Sequence, residues 1–124
     1  MASEESTHPV FRQNGISYLE IPALKLNESS MFYRSVFGWK IGRDSSSPSF
    51  EDGTGHVIGH WNTELPVAGK AGIVPYIYVD GVDDTLEKII HSGGEIVKLP
   101  YREGNLRVAT FLDPAGNLLG IWQS

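Results

Sequence analysis

Strict alternation of apolar and polar positions marks Tyr18-Leu-Glu-Ile21 and Tyr76-Ile-Tyr-Val79 as half-buried strands. After each, apolar residues return at helical spacing. In the first such segment Phe32, Tyr33, Val36 and Phe37 share one side of a helix expected to start after Asn27, an N-cap residue type, and to stop at Gly38. In the second, a helix from about Val82 carries Val82, Leu86, Ile89 and Ile90 on one side and stops at Gly93-Gly94. A short strand follows each helix, Trp39 to Gly42 and Glu95 to Leu99. A third strand, around Ser49 to Glu51 and Leu106 to Leu112, then leads into a hairpin.

The hairpins repeat in their letters. Glu51-Asp-Gly-Thr-Gly-His-Val-Ile-Gly-His-Trp61 set above Leu112-Asp-Pro-Ala-Gly-Asn-Leu-Leu-Gly-Ile-Trp122 shares Asp, Gly, Gly and Trp at the same places, and Val57/Leu118 and Ile58/Leu119 align as apolar pairs. The order strand, helix, strand, strand, strand thus occurs twice. The expectation is an α+β domain of two β-α-β-β-β modules, about 15–63 and 72–124, behind a flexible tail over 1–14.

Successive strand residues point to opposite faces. With Gly59 aligned to Gly120, one face collects Leu19, Ile21, Ile58, Ile77, Val79, Leu119 and Ile121, suited to packing on the helices. The other collects Tyr18, Glu20, Tyr76, Tyr78, Trp61 and Trp122, with the two glycines leaving room between the rings. That aromatic face is either the lining of a ligand pocket or the seam between two half-sheets.

Composition narrows the function. At 124 residues the chain fits one domain with a real core, and with no cysteine it has no disulfide or thiolate chemistry. The net charge of -5 comes from scattered acids, and no lysine-arginine stripe suits a phosphate backbone, so nucleic acid is not an expected partner. The polar start of the chain does not read as a secretory signal and no long apolar run follows. No membrane association is therefore expected, and the cytoplasm is the expected location.

Three stretches, Tyr18-Leu-Glu-Ile-Pro-Ala23, Met31-Phe-Tyr-Arg-Ser-Val-Phe-Gly-Trp39 and Asp113-Pro-Ala-Gly-Asn117, resemble signature segments of the glyoxalase/bleomycin-resistance/extradiol dioxygenase (vicinal oxygen chelate) superfamily, nearest its glyoxalase-like branch. The resemblance implies a curved mixed sheet forming a cup with helices outside, a small organic molecule held inside, and a homodimer. It also implies four inward positions where metal-using members carry ligands, here Tyr18, Gly59, Val74 and Gly120. None is an ordinary ligand for such an ion, so no metal or other cofactor is expected.

His56 and His60 do not replace that cluster, since four residues along a strand span about 13 Å. His60, aligned with Ile121, is expected on the helix side. His8 falls in the tail, and His91 suits the end of the second helix. Glu20 is the one carboxylate expected in the cup, either a general base or a structural partner of an arginine. A loop from Leu99 to Asn105 and the strand beyond it add Tyr101, Arg102, Glu103 and Arg107, the arginines being candidates to hold a carboxylate or phosphate. Asp52 and Asp113 read as turn-fixing residues. The expected ligand-binding set is therefore Tyr18, Tyr76, Tyr78, Trp61, Trp122, Tyr101, Arg102 and Arg107, with Glu20 as candidate base. Three activities remain open: lyase or isomerase chemistry on a carbonyl compound, non-catalytic binding of a drug or metabolite, and a diverged metal-dependent lyase or dioxygenase.

Overall fold

The computed structural model describes residues 9–42 and 48–124, so His8 and most of the expected tail lie outside the described residues. Within them the duplicated order appears as β1 (Tyr18–Pro22), α1 (Leu26–Phe37), β2 (Lys40–Ile41), β3 (Ser49–Glu51) and β4 (Ile58–Asn62), followed by β5 (Tyr76–Tyr78), α2 (Val82–His91), β6 (Glu95–Glu103), β7 (Leu106–Leu112) and β8 (Leu118–Gln123). Two four-stranded mixed sheets have the same topology, β1-β4-β3-β2 and β5-β8-β7-β6. In each, the first and last strands run parallel and the remaining pairs are antiparallel. A parallel pair cannot be closed by a tight turn, and the helix in each module lies within the connection that closes it.

Helix α1 begins two residues earlier than its letters suggest. Lys25 is the N-cap, without a side-chain capping bond, and Asn27 lies inside the first turn, its carbonyl accepting the Ser30 hydroxyl. Its end is as expected, with Gly38 in the left-handed region at φ 70° and its N–H donating to the Arg34 carbonyl. In α2, Val82, Leu86 and Ile89 are buried, but Ile90 is half exposed, and Thr85 takes the fourth inward place. Thr85 can do so because its hydroxyl donates to the Gly81 carbonyl at 2.7 Å.

One core serves both modules. Phe32 and Phe37 of α1 pack on Phe111 of β7, each at 6.0 Å between ring centroids, while Trp39 stacks between Tyr33 and Phe50. Two polar contacts lock the modules together: the buried Tyr33 hydroxyl donates to Asp113 Oδ2 at 2.8 Å, and Asn117 Nδ2 donates to the Pro22 carbonyl at 2.7 Å. The ring contacts lie on the helix side of the sheets. Val10 is also buried, so the inner end of the expected tail is packed against the domain.

Candidate functional site

Strand register decides which side chains share a face, and the two hairpins differ in register by one residue. In the first, Glu51 pairs with Ile58, seven positions on; in the second, Leu112 pairs with Leu118, six positions on. The turns show why. The Asp52 N–H bonds to the Val57 carbonyl, whereas the Asp113 N–H bonds to the Asn117 carbonyl, so the first turn holds one more residue. Asp52 and Asp113 do fix these turns, each Oδ1 accepting several backbone N–H groups.

That extra residue reverses the expected facing of β4. Trp61 pairs with Ile21 across β1 and is 2 % exposed, packed on Phe50 in the core rather than on the aromatic face. Gly59 also points inward, where a methyl group would collide with the Leu19 carbonyl and the Phe50 ring. Ile58 and His60, expected on the helix side, lie on the opposite open face in register with Tyr18 and Glu20. The second module keeps the expected facing, with Tyr76 paired to Gly120 and Tyr78 to Trp122.

The open face of the first sheet therefore carries a polar cluster. Tyr18 Oη and His60 Nδ1 are hydrogen-bonded at 2.7 Å, and His60 Nε2 lies 3.6 Å from Glu20 Oε2. The His60 side chain is 26 % exposed and that of Glu20 44 %, so the imidazole is the more enclosed of the two. Beside the cluster runs an open groove of about 370 Å³, lined by Tyr18, Ile58, Ser49, Glu51 and Lys40, the last two 4.0 Å apart as an ion pair.

The open face of the second sheet is aromatic. Tyr78 meets Trp122 edge to face at 4.7 Å. The Tyr76 ring lies over Gly120, occupying the space a side chain there would need. Partial burial raises the Tyr76 phenol above its ordinary value, helped by hydrogen-bonded Tyr101 and by Glu103 and opposed by Lys98. Lys98 sits 4.2 Å over the Tyr101 ring.

The stretch from Leu99 to Glu103 is strand rather than loop. Edge strand β6 accommodates Pro100 within a register irregularity between Lys98 and Tyr101, where no ladder N–H is needed. This ordered pleat separates the charged residues. Tyr101 pairs with Val108 on the open face, whereas Arg102 pairs with Arg107 on the opposite one. Arg107 is also committed to Asp83 of α2 through a bond of 2.9 Å and another of 3.2 Å. Neither arginine stands with the aromatic group. His91 ends α2, and His56 precedes β4 rather than lying on it.

Transferred through the observed register, the family's inward positions fall on Tyr18, His60, Val74 and Gly120. Val74 and Gly120 supply no donor, and Tyr76 covers Gly120. His60 Nδ1 is engaged by Tyr18. Among the described residues no three His, Cys, Asp or Glu side chains come together to hold an ion. This donor set does not fit the three or four ligands of a bound divalent metal. The signal that could have placed His60 correctly is the alternation Ile58/His60 against Tyr18/Glu20, which the shared glycine and tryptophan masked.

The sequence profile of the Glyoxalase/Bleomycin resistance protein/Dioxygenase superfamily matches residues 15–121. CFP32 of Mycobacterium bovis, named as a candidate glyoxylase, is 27 % identical over 126 residues, covering 92 % of this chain. The chain spans about half the length, 47 %, of that relative. Among solved structures, a glyoxalase/bleomycin resistance protein/dioxygenase family enzyme from Burkholderia phytofirmans PsJN superposes with a TM-score of 0.73 at 22 % identity, covering 86 % of this chain and 96 % of its own. TnmS3, an antibiotic binding protein from Streptomyces sp. CB03234, gives 0.69 at 18 % identity, covering 89 % and 95 %. At these identities the likeness speaks for the fold. Among the described residues no helix is long and apolar enough to cross a membrane.

Proposed function

The chain belongs to the glyoxalase/bleomycin resistance protein/dioxygenase superfamily, and from that premise we propose that it binds a small organic carbonyl compound on the open faces of its sheets and acts on it as a lyase or isomerase, without the family's usual metal. The observation that carries this reading is the gathering of Tyr18, His60 and Glu20 on one open face, the polar equipment that proton transfer needs. Glu20 supplies the carboxylate of that acid-base group. The aromatic face of Tyr76, Tyr78, Tyr101 and Trp122 supplies a wall for an organic ligand.

Tyr18 is 53 % exposed and Tyr78 50 %, so both open faces are available to a second copy of the chain. A homodimer is thus part of the proposal. A second reading, binding without turnover, is favoured by the second sheet, whose open face is rich in rings; the similarity to an antibiotic binding protein agrees with it.

Tryptophan fluorescence tests the binding. Trp39 and Trp61 are buried and Trp122 lies on the open face, so saturable quenching by members of a panel of aldehydes, ketoacids and planar aromatic drugs should vanish in Trp122→Phe. No saturable response from any class would remove the reading. Turnover of a bound carbonyl compound would separate enzyme from binder.

A further inference from the structure

We propose that Tyr18, His60 and Glu20 form a proton relay in which Tyr18 Oη is the acid-base group presented to the ligand, His60 its proton acceptor, and Glu20 the positioning residue behind the imidazole. The inference rests on the reading of this face as a site for a carbonyl compound. It gives His60 a role that neither its letters nor its place in the repeat indicated.

The geometry sets the order of the groups. His60 Nδ1 is hydrogen-bonded to Tyr18 at 2.7 Å, and Nε2 lies 3.6 Å from Glu20 Oε2, an electrostatic contact longer than a hydrogen bond, so the imidazole lies between phenol and carboxylate. A carboxylate accepts but cannot donate, which favours the tautomer with its proton on Nε2; Nδ1 then accepts from the Tyr18 hydroxyl. Such an arrangement, a hydroxyl on a base oriented by a third group, is recognised by geometry wherever it occurs. Tyr18 is the half-exposed end of the chain and borders the groove, while His60 is the more enclosed link.

The matching chemistry is proton transfer at carbon beside a carbonyl group. As a ligand C–H bond breaks, Tyr18 Oη takes that proton and passes its own to His60 Nδ1. The C–H electron pair stays on the ligand as an enolate, and the imidazolium rests beside the Glu20 carboxylate. Return of the proton to the same or a neighbouring carbon closes the cycle, with no oxidant, reductant or metal.

Two measurements test the relay on the intact protein. In ¹⁵N-labelled protein at mildly alkaline pH, His60 should carry its proton on Nε2 with Nδ1 unprotonated; a proton on Nδ1 instead would overturn the order of groups. In D₂O, loss of carbon-bound hydrogen from hydroxyacetone and pyruvate is followed by proton NMR. The wild type should accelerate exchange of at least one of them, and Tyr18→Phe and His60→Gln should each lose about a hundredfold, the low end of acid-base catalysis. Glu20→Gln should lose less and shift the His60 tautomer balance, which a merely structural carboxylate would not do. Arg107→Ala, across the sheet, should exchange like the wild type. Undiminished exchange in Tyr18→Phe refutes the relay. A probe that quenches Trp122 but does not exchange refutes it while leaving the binding reading intact; absence of both binding and exchange sinks both.

Discussion

Replacing Gly59 by alanine asks directly which way β4 faces. The added methyl group would meet the Leu19 carbonyl and the Phe50 ring. The carbonyl belongs to a strand held in register with Gly59 itself, and Phe50 is 3 % exposed, so neither can yield cheaply. Overpacking of this kind costs about 1–3 kcal/mol, and a backbone neighbour puts the cost near ~3 kcal/mol. For a chain of this size that is roughly a 10 °C fall in melting temperature. Gly120→Ala is the internal control. Its methyl group would first meet the Tyr76 ring, the side chain of a residue 47 % exposed and so able to swing aside, and the cost should be about 1 kcal/mol and a few degrees. Thermal melts of the two variants by circular dichroism decide the matter. If Gly59→Ala melts within a few degrees of the wild type, or if Gly120→Ala is the worse of the pair, the assignment of Gly59 to the core and of His60 to the open face is wrong.

Other expectations concern the module interface and the charged surface. Tyr33→Phe removes a buried bond to a carboxylate and should cost about 1.5–3 kcal/mol in urea denaturation at neutral pH. Burial first, and then the charge and hydrogen bond of Asp113, hold the Tyr33 phenol well above its ordinary value. The stability tied to that proton is present below the unfolded phenol value of about 10 and falls as pH rises beyond it, so Tyr33→Phe should flatten the alkaline loss of stability seen in the wild type. Asp113→Ala strips the acceptor from Tyr33, from the Ala115 and Asn117 N–H groups and from Asn117 Nδ2, and should destabilise by about 3–5 kcal/mol in the same assay. Arg107→Ala breaks a solvent-exposed ion pair and should cost less than about 1 kcal/mol while leaving the Trp122 ligand response unchanged; loss of that response would return the arginine to the site.

Most of the fold was legible in the letters because it depends on local, redundant signals. Apolar spacing located both helices, Gly38 ended the first, and the paired Asp-Gly and Asp-Pro turns revealed the duplication and with it the order of elements along the chain. The open placement of Tyr18, Glu20, Tyr76, Tyr78 and Trp122 was also legible, since alternation within one strand needs no partner. Other features needed the folded neighbours. Whether Leu99 to Glu103 pairs as an edge strand depends on β7, and whether Arg107 is free depends on Asp83 of α2. The sharpest case is His60 against Trp61. A pleat has a period of two, so one additional residue in a turn moves every later side chain to the other face. The identical spacing of Asp, Gly, Gly and Trp in both modules concealed that residue. Only closure of the first turn at Val57 and of the second at Asn117 assigned the histidine to the ligand face and the tryptophan to the core.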